Sequence, residues 1–200
     1  RKEVKSTEDI KGLKFRVGGF AGKVLEKMGA VPQNIPAGEI YQSLEKGTID
    51  AAEWIGPYDD LKLGLNKVAP FYYYPGWWEG SLNLSFYIND KAFNSLSKEY
   101  KAIVKAAAHE AHVTCQGRYD ARNPAALKQL VAAGAKVLPF PQQVMDASFK
   151  ATMEVYGGLD SSNPDWKKIY ADYRNFQRDQ VLWFRFAEGR FDNFMSSQKL

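Results

Sequence analysis

The stretch from Pro164 to about Ser196 constrains the fold more than any other. Trp166, Ile169, Tyr170, Tyr173, Phe176, Leu182, Trp183, Phe184, Phe186, Ala187, Phe191, Phe194 and Met195 recur there at a helical period, then broaden past one face. At 1.5 Å rise per residue, a helix of roughly 30 residues is about 45 Å long, more than one compact domain of this size needs. Such a helix must span two lobes or reach a partner chain; a break near Gly189 is the alternative.

Ahead of it the pattern changes twice. "LKFRVG" alternates from Leu13 to Gly18, Lys23 to Met28 gives helical turns ended by Gly29, and "AGEIYQSLEKG" sets Ile40, Tyr41 and Leu44 on one helical face before Gly47. "TIDAAEWIG" is a short strand, and "PYDD" must turn because Pro57 cannot continue a ladder. This is βαβ-like punctuation. "NLSFYI" is a further strand candidate, with Asp90 as the cap of the helical run behind it. Long helices follow, from Ser97 to about Val131 with Pro124 as the place for a break or kink, and from about Gln142 to Tyr156. "AKVLPFP" supplies a short strand between them. The opening "RKEVKSTEDIKG" is a polar lead-in whose first strand has no earlier element to pair with, as in a chain that starts mid-architecture.

Composition narrows the function classes. With 27 Lys plus Arg against 23 Asp plus Glu, the net charge is +4 and the signs are interspersed, a weak case for nucleic-acid binding. Cys115 is the one cysteine, which excludes an internal disulfide and any paired-cysteine metal motif. His109 and His112 in "AAHEAHV" are three apart and miss the i, i+4 spacing of the zinc-protease motif. Gly18, Gly19 and Gly22 likewise fail the one-three-six spacing of a dinucleotide loop.

The informative residues are one arginine and two acids. Arg16, near the end of an alternating strand, can aim its planar fork into a cleft and pair bidentately with a carboxylate; a plain surface arginine is the alternative. Glu53 follows two alanines on a strand, and Glu79 follows Trp77 and Trp78 in "GWWEG". Aromatic neighbours exclude water, so an ionised carboxylate there asks for a cation or a donor. If both acids face one cleft, a hard ion such as sodium or calcium resolves their repulsion; both lying on the rim is the other reading. A glycosidase-like acid and base pair would use the same carboxylates, but no nucleophile elbow or phosphate loop accompanies them.

"GLKFRVGGFAGKVLEKMGAVPQNIPAGEIYQSLEKGTIDAAEWIGPYDDLKLG", with "KVAPFYYYPGWWEG", resembles the DctP-like solute-binding proteins of tripartite ATP-independent periplasmic (TRAP) transporters, and most their 2-oxo acid and monocarboxylate subgroup. The resemblance implies an α/β fold, the C-terminal part of a two-lobed periplasmic-binding-protein-like clamshell with long C-terminal helices. Residues 11–196 would hold most of the second lobe, crossover strands and the long helices, while the signal peptide and most of the first lobe would precede this chain. It implies periplasmic location, a small organic acid anion as ligand, no catalysis, and membrane permease subunits driven by a sodium gradient as partners. Arg16 would bind the acid's carboxylate, and Glu53, Glu79 and the Trp54 carbonyl would hold a bridging cation, sodium or calcium. The Trp54 indole would line the pocket, with Phe20, Tyr73 and Trp78 as candidates for its apolar wall. A homodimer through the C-terminal helix is expected by the same resemblance. The other function classes left open are an extracytoplasmic small-acid sensor and a metal-dependent lyase or hydrolase.

Overall fold

In the computed structural model, which describes residues 1–80 and 82–198, the alternating stretch forms β1 (Lys14–Arg16). It is the middle of a parallel sheet in the order β2, β1, β3, with β2 at Val31–Gln33 and β3 at Ala51–Ala52. Arg16 lies opposite Gln33 on one side and Ala52 on the other. Helix α1 (Gly19–Lys27) leads from β1 to β2 and starts a turn earlier than expected; α2 (Ile40–Lys46) leads to β3. Gly47 ends α2 with φ of 78°, a left-handed conformation that a residue without Cβ adopts at no steric cost.

Side chains alternate along β1, so Phe15 and Arg16 face opposite ways. Phe15 joins Val4, Ile10, Leu13, Val17, Leu25, Ala30 and Val144 in one buried cluster. On a second cluster, formed by Ile40, Leu44 and Ile49, rest Ile35, Ala52 and Trp54. The polar lead-in is therefore part of the core. Thr7–Ile10 forms a 3-10 turn in which Asp9 Oδ2 accepts from the Ser6 amide at 2.9 Å, and the two apolar residues it fixes lie too far apart in sequence to show a period.

Pro57 ends the strand as expected but opens a helix, α3 (Pro57–Lys62), at the first position, where its missing N–H loses no bond. The triple tyrosine lies in a strand, β4 (Phe71–Tyr74), parallel to β5 (Lys136–Pro139). The strand expected at "NLSFYI" is absent: residues 82–89 carry no regular element, and Tyr87 is 94% exposed. Among the described residues no neighbouring strand meets its backbone groups, and pairing is what makes a β-prone run a strand. Asn89, not Asp90, caps the following α4 (Asp90–Ser95), accepting from the Lys91 and Ala92 amides at 3.1 and 3.2 Å. Helix α5 (Lys98–Ala132) continues through Pro124, and α6 extends over Gln142–Ser162, six residues past its expected end.

The chain divides into two units, Arg1–Ala151 and Thr152–Leu200. The first holds both sheets and both clusters. In the second, Asn163 caps α7 (Pro164–Phe186) through the Trp166 amide at 3.0 Å. The single long helix predicted from the apolar period is instead two. Ala187, at φ −81° and ψ −98°, separates α7 from α8 (Glu188–Ser196), and at Gly189 a Cβ would come within 3.0 Å of the Phe184 carbonyl. No helix among the described residues is long and apolar enough to cross a membrane.

Candidate functional site

The order β2, β1, β3 places β1 where the chain winds off to either side, and the crevice of a parallel sheet opens at the carboxyl ends of its strands there. Three sequence stretches meet at that edge. Arg16 ends β1, Ile35 follows β2, and Glu53 with Trp54 follow β3. The Glu53 amide donates to the Arg16 carbonyl at 3.0 Å, which extends the ladder one residue past β3.

The Arg16 side chain is fixed from three directions. Its Nε donates to the Ile35 carbonyl at 3.2 Å, and Nη1 donates to the Glu53 carbonyl at 2.6 Å and to Glu53 Oε2 at 3.2 Å. The guanidinium carbon lies 5.2 Å from the centre of the Trp54 ring, within cation–π range. Both side chains of the Arg16–Glu53 pair are 18% exposed. Among the described residues Nη2 has no hydrogen-bond partner, so one edge of a locked planar fork stays open. A guanidinium held this way loses little conformational freedom when a carboxylate arrives.

Glu53 is the electrostatic centre of the edge. Burial pushes its carboxyl above the usual range, Arg16 pulls it down, and Glu79 and Asp60 push it up again. The structure thus brings Arg16, Glu53 and Trp54 together and sets Glu79, exposed in the loop after β4, within electrostatic reach of Glu53. Among the described residues no three His, Cys, Asp or Glu side chains are grouped to hold a metal ion. A cation at Glu53 and Glu79 would therefore need backbone or ligand oxygens, such as the Trp54 carbonyl.

The remaining candidates divide. Phe20, in the first turn of α1, is 45% exposed with Lys23 Nζ 5.4 Å from its ring centre. Tyr73 and Trp78 pack against the cluster that holds Phe15. Tyr73 stacks on Phe140 at 4.9 Å and its hydroxyl takes the Val4 amide at 2.6 Å; Trp78 meets Phe15 edge-on at 6.2 Å. Their rings brace the loop that carries Glu79. His109 and His112 are exposed on α5.

Sequence reasoning missed the Ile35 carbonyl, a backbone group that no side-chain pattern reports. The signal was Pro36, which holds the preceding residue extended. It also missed how α5 anchors α3. Asn123 Oδ1 accepts from the Tyr58 amide at 3.0 Å, Tyr119 donates to Asp59 Oδ2 at 2.7 Å, and Arg122 donates to the Tyr58 hydroxyl at 2.8 Å. The hydrogen bond to Asp59 raises the Tyr119 hydroxyl to about 12, so it remains a donor at neutral pH. Tyr119→Phe is expected to lower stability by about 1 kcal/mol, the net worth of a partly exposed hydrogen bond; denaturant unfolding measures it, and an unchanged midpoint would show the bond idle.

Residues 1–161 match the DctP family, described as bacterial extracellular solute-binding protein, family 7. The match begins ahead of Lys11 and takes in the lead-in. A monocarboxylate 2-oxoacid-binding periplasmic protein of Nostoc sp. (strain PCC 7120) is 45% identical over 199 residues, 100% of this chain and 55% of that protein. A TRAP transporter solute-binding protein from Bordetella bronchiseptica RB50, solved as a mixed-occupancy dimer with copurified calcium and picolinate in its occupied site, superposes with a TM-score of 0.93 at 53% identity. The overlap covers 98% of this chain and 59% of that one. A TRAP periplasmic solute-binding protein from Pseudoalteromonas atlantica T6c, with sodium and pyruvate bound, gives 0.91 at 38% identity over 100% of this chain and 60% of its own. The chain spans about half the length of the curated relatives it matches.

Proposed function

The chain belongs to the DctP family of bacterial extracellular solute-binding proteins, and from that membership we propose that the full-length protein is the periplasmic binding component of a sodium-gradient-driven TRAP transporter. Its ligand is a small 2-oxo or 2-hydroxy monocarboxylate, carried unchanged to the membrane permease subunits. The observation that carries this reading is the Arg16 guanidinium, locked by two backbone carbonyls and the Glu53 carboxylate beside Trp54, with Nη2 unclaimed among the described residues.

Arg16 binds the carboxylate of the acid, and Glu53, Glu79 and the Trp54 carbonyl hold the cation. Pyruvate and picolinate, the ligands of the two solved relatives, share a carboxylate with a donor atom on the adjacent carbon. Such a pair closes a five-membered chelate around a hard ion, so the cation reads the α-substituent while Arg16 reads the charge. The arginine and the acid cancel; the two glutamates leave two negative charges, which a divalent ion neutralises and a monovalent ion halves. The bridged ligand favours the closed clamshell by the contacts it makes there alone, and closure is what the permease recognises. Phe20 shapes the rim. Exposed Phe184, Phe186, Phe191 and Phe194 on α7 and α8 support a homodimer through these helices.

Titration calorimetry of pyruvate into the metal-depleted full-length protein tests the reading, with sodium or calcium then restored. Pyruvate is expected to bind only weakly until a cation is present, and to be recovered chemically unchanged. Glu79→Gln is expected to weaken cation and pyruvate together, each by about tenfold, since linkage makes the coupling reciprocal. Pyruvate affinity independent of both ions, or turnover of pyruvate, would overturn the assignment.

A further inference from the structure

Trp54 sets its ring against Arg16 and, in the reading above, its carbonyl against the cation, so whatever fixes the turn behind it fixes both groups. That turn has no side-chain cap of its own. Ile55 is 49% exposed, Gly56 stands at the N-cap of α3 without a side chain, and Pro57 has no amide hydrogen. Tyr58 is the first residue of α3 with an amide hydrogen to place, and it donates to Asn123 Oδ1 on α5 at 3.0 Å. The same side chain lies over Gly56, where a Cβ would meet Asn123 Oδ1 at 3.8 Å and Nδ2 at 4.0 Å. Asn123 thus caps α3 from 65 residues downstream.

Helix α5 presents this cap on one face. Tyr119, Arg122 and Asn123 are spaced i, i+3 and i+4, and the first two hold side chains of α3, at 2.7 Å to Asp59 Oδ2 and 2.8 Å to the Tyr58 hydroxyl. On β4 the Tyr72 hydroxyl donates to Oδ2 of Asp60, which is 7% exposed, at 2.6 Å. Asn123 differs from these contacts in bonding backbone, at the junction of the turn and the helix. Resting on the reading that Trp54 belongs to the ligand and cation site, we propose that Asn123 is a positioning residue for that site. By capping α3 from α5 it fixes the turn, so that the carbonyl and the ring of Trp54 are in place before cation and acid arrive; it acts through Trp54 and touches neither. A ligand group on a loose turn must be ordered on binding, and that ordering subtracts from affinity.

Calorimetry on the full-length protein tests the role, with calcium chloride alone and then with pyruvate at saturating calcium. Asn123→Ala removes the acceptor and is expected to weaken calcium and pyruvate by about tenfold each, the lower end of what a residue that orients a metal ligand contributes. Asn123 is half-buried, so its replacement leaves the core intact. Asn123→Asp keeps an oxygen at the same place, with a charge suited to a helix N-terminus, and is expected to bind at least as tightly as wild type. Tyr119→Phe loosens the same pair of helices through a side chain and is expected to lose stability with both affinities unchanged. Positioning and stability are thereby separated. Wild-type affinity in Asn123→Ala, an equal loss of affinity in Tyr119→Phe, or Asn123→Asp as weak as Asn123→Ala would overturn the role of Asn123 and leave the site at Arg16 and Glu53 standing. A wild-type protein that binds neither calcium nor pyruvate would overturn the reading of the site itself and this inference with it.

Discussion

Replacing Arg16 with alanine is expected to weaken pyruvate binding by at least about 2 kcal/mol, roughly 30-fold, the scale for deleting one partner of a buried charged pair. Two losses add up. The ligand carboxylate loses its counter-charge, and the cleft loses the group that ties together the ends of three strands, because Nε and Nη1 hold the Ile35 and Glu53 carbonyls at once. Stability falls as well, by about 3 kcal/mol, since Glu53 is left as an unpaired and largely buried charge. The pH dependence identifies the cause. Glu53 already titrates above the usual carboxylate range because of burial, with Arg16 opposing; without Arg16 it rises further. A carboxyl whose pKa is raised on folding costs stability progressively as pH climbs from its unfolded value to the raised one, and the cost is complete above that. The Arg16→Ala protein is therefore expected to approach wild-type stability in acid and to fall behind it toward neutral pH. Arg16→Lys separates the roles: it keeps a charge for the ligand but cannot bond both carbonyls and the carboxylate from one ammonium, so it is expected to recover part of the stability and little of the affinity. Unchanged calorimetric affinity in Arg16→Ala would remove Arg16 from the ligand site.

What could be read in advance follows from whether the signal is local. β1 and α2 were legible because alternation in "LKFRVG" and the Ile40–Leu44 spacing are short-range patterns that the fold obeys. β4 was not, since three tyrosines in a row show no alternation, and its pairing with β5 joins residues more than sixty apart. "NLSFYI" failed in the opposite sense, having the composition of a strand without a neighbour among the described residues. The break at Ala187 was weighed only as an alternative near Gly189, because the apolar period runs through it. At the edge of the sheet, Arg16 and Glu53 could be singled out one by one, but their contact depends on the β1–β3 register. The Ile35 carbonyl left no side-chain trace, and Asp60 is an unremarked acid until its burial is seen. The family, by contrast, was legible from the order of motifs, and the match over residues 1–161 agrees with it.

Register also predicts which core mutation reaches the site. Leu44 is 1% exposed in the cluster that carries both Ile35 and Trp54. Leu44→Ala is expected to lower stability by about 3 kcal/mol, within the usual span for emptying a packed leucine site. Its effect should not stop there. The cavity lies in the cluster on which Ile35 and Trp54 rest, and so under two of the four groups that fix Arg16, the Ile35 carbonyl and the Trp54 ring, so the fork gains freedom that must be lost again on binding. Pyruvate affinity is accordingly expected to drop several-fold under conditions where the variant remains folded. Leu25→Ala is the matched comparison: equally buried, but in the cluster on the Phe15 side. Denaturant unfolding should rank the two variants alike, and calorimetry should separate them, because only one cluster supports the face of β1 that presents Arg16. If both lower affinity by the same factor, the site is sensitive to the stability of the fold as a whole, and the two-sided division of the core around β1 does not govern how Arg16 is held.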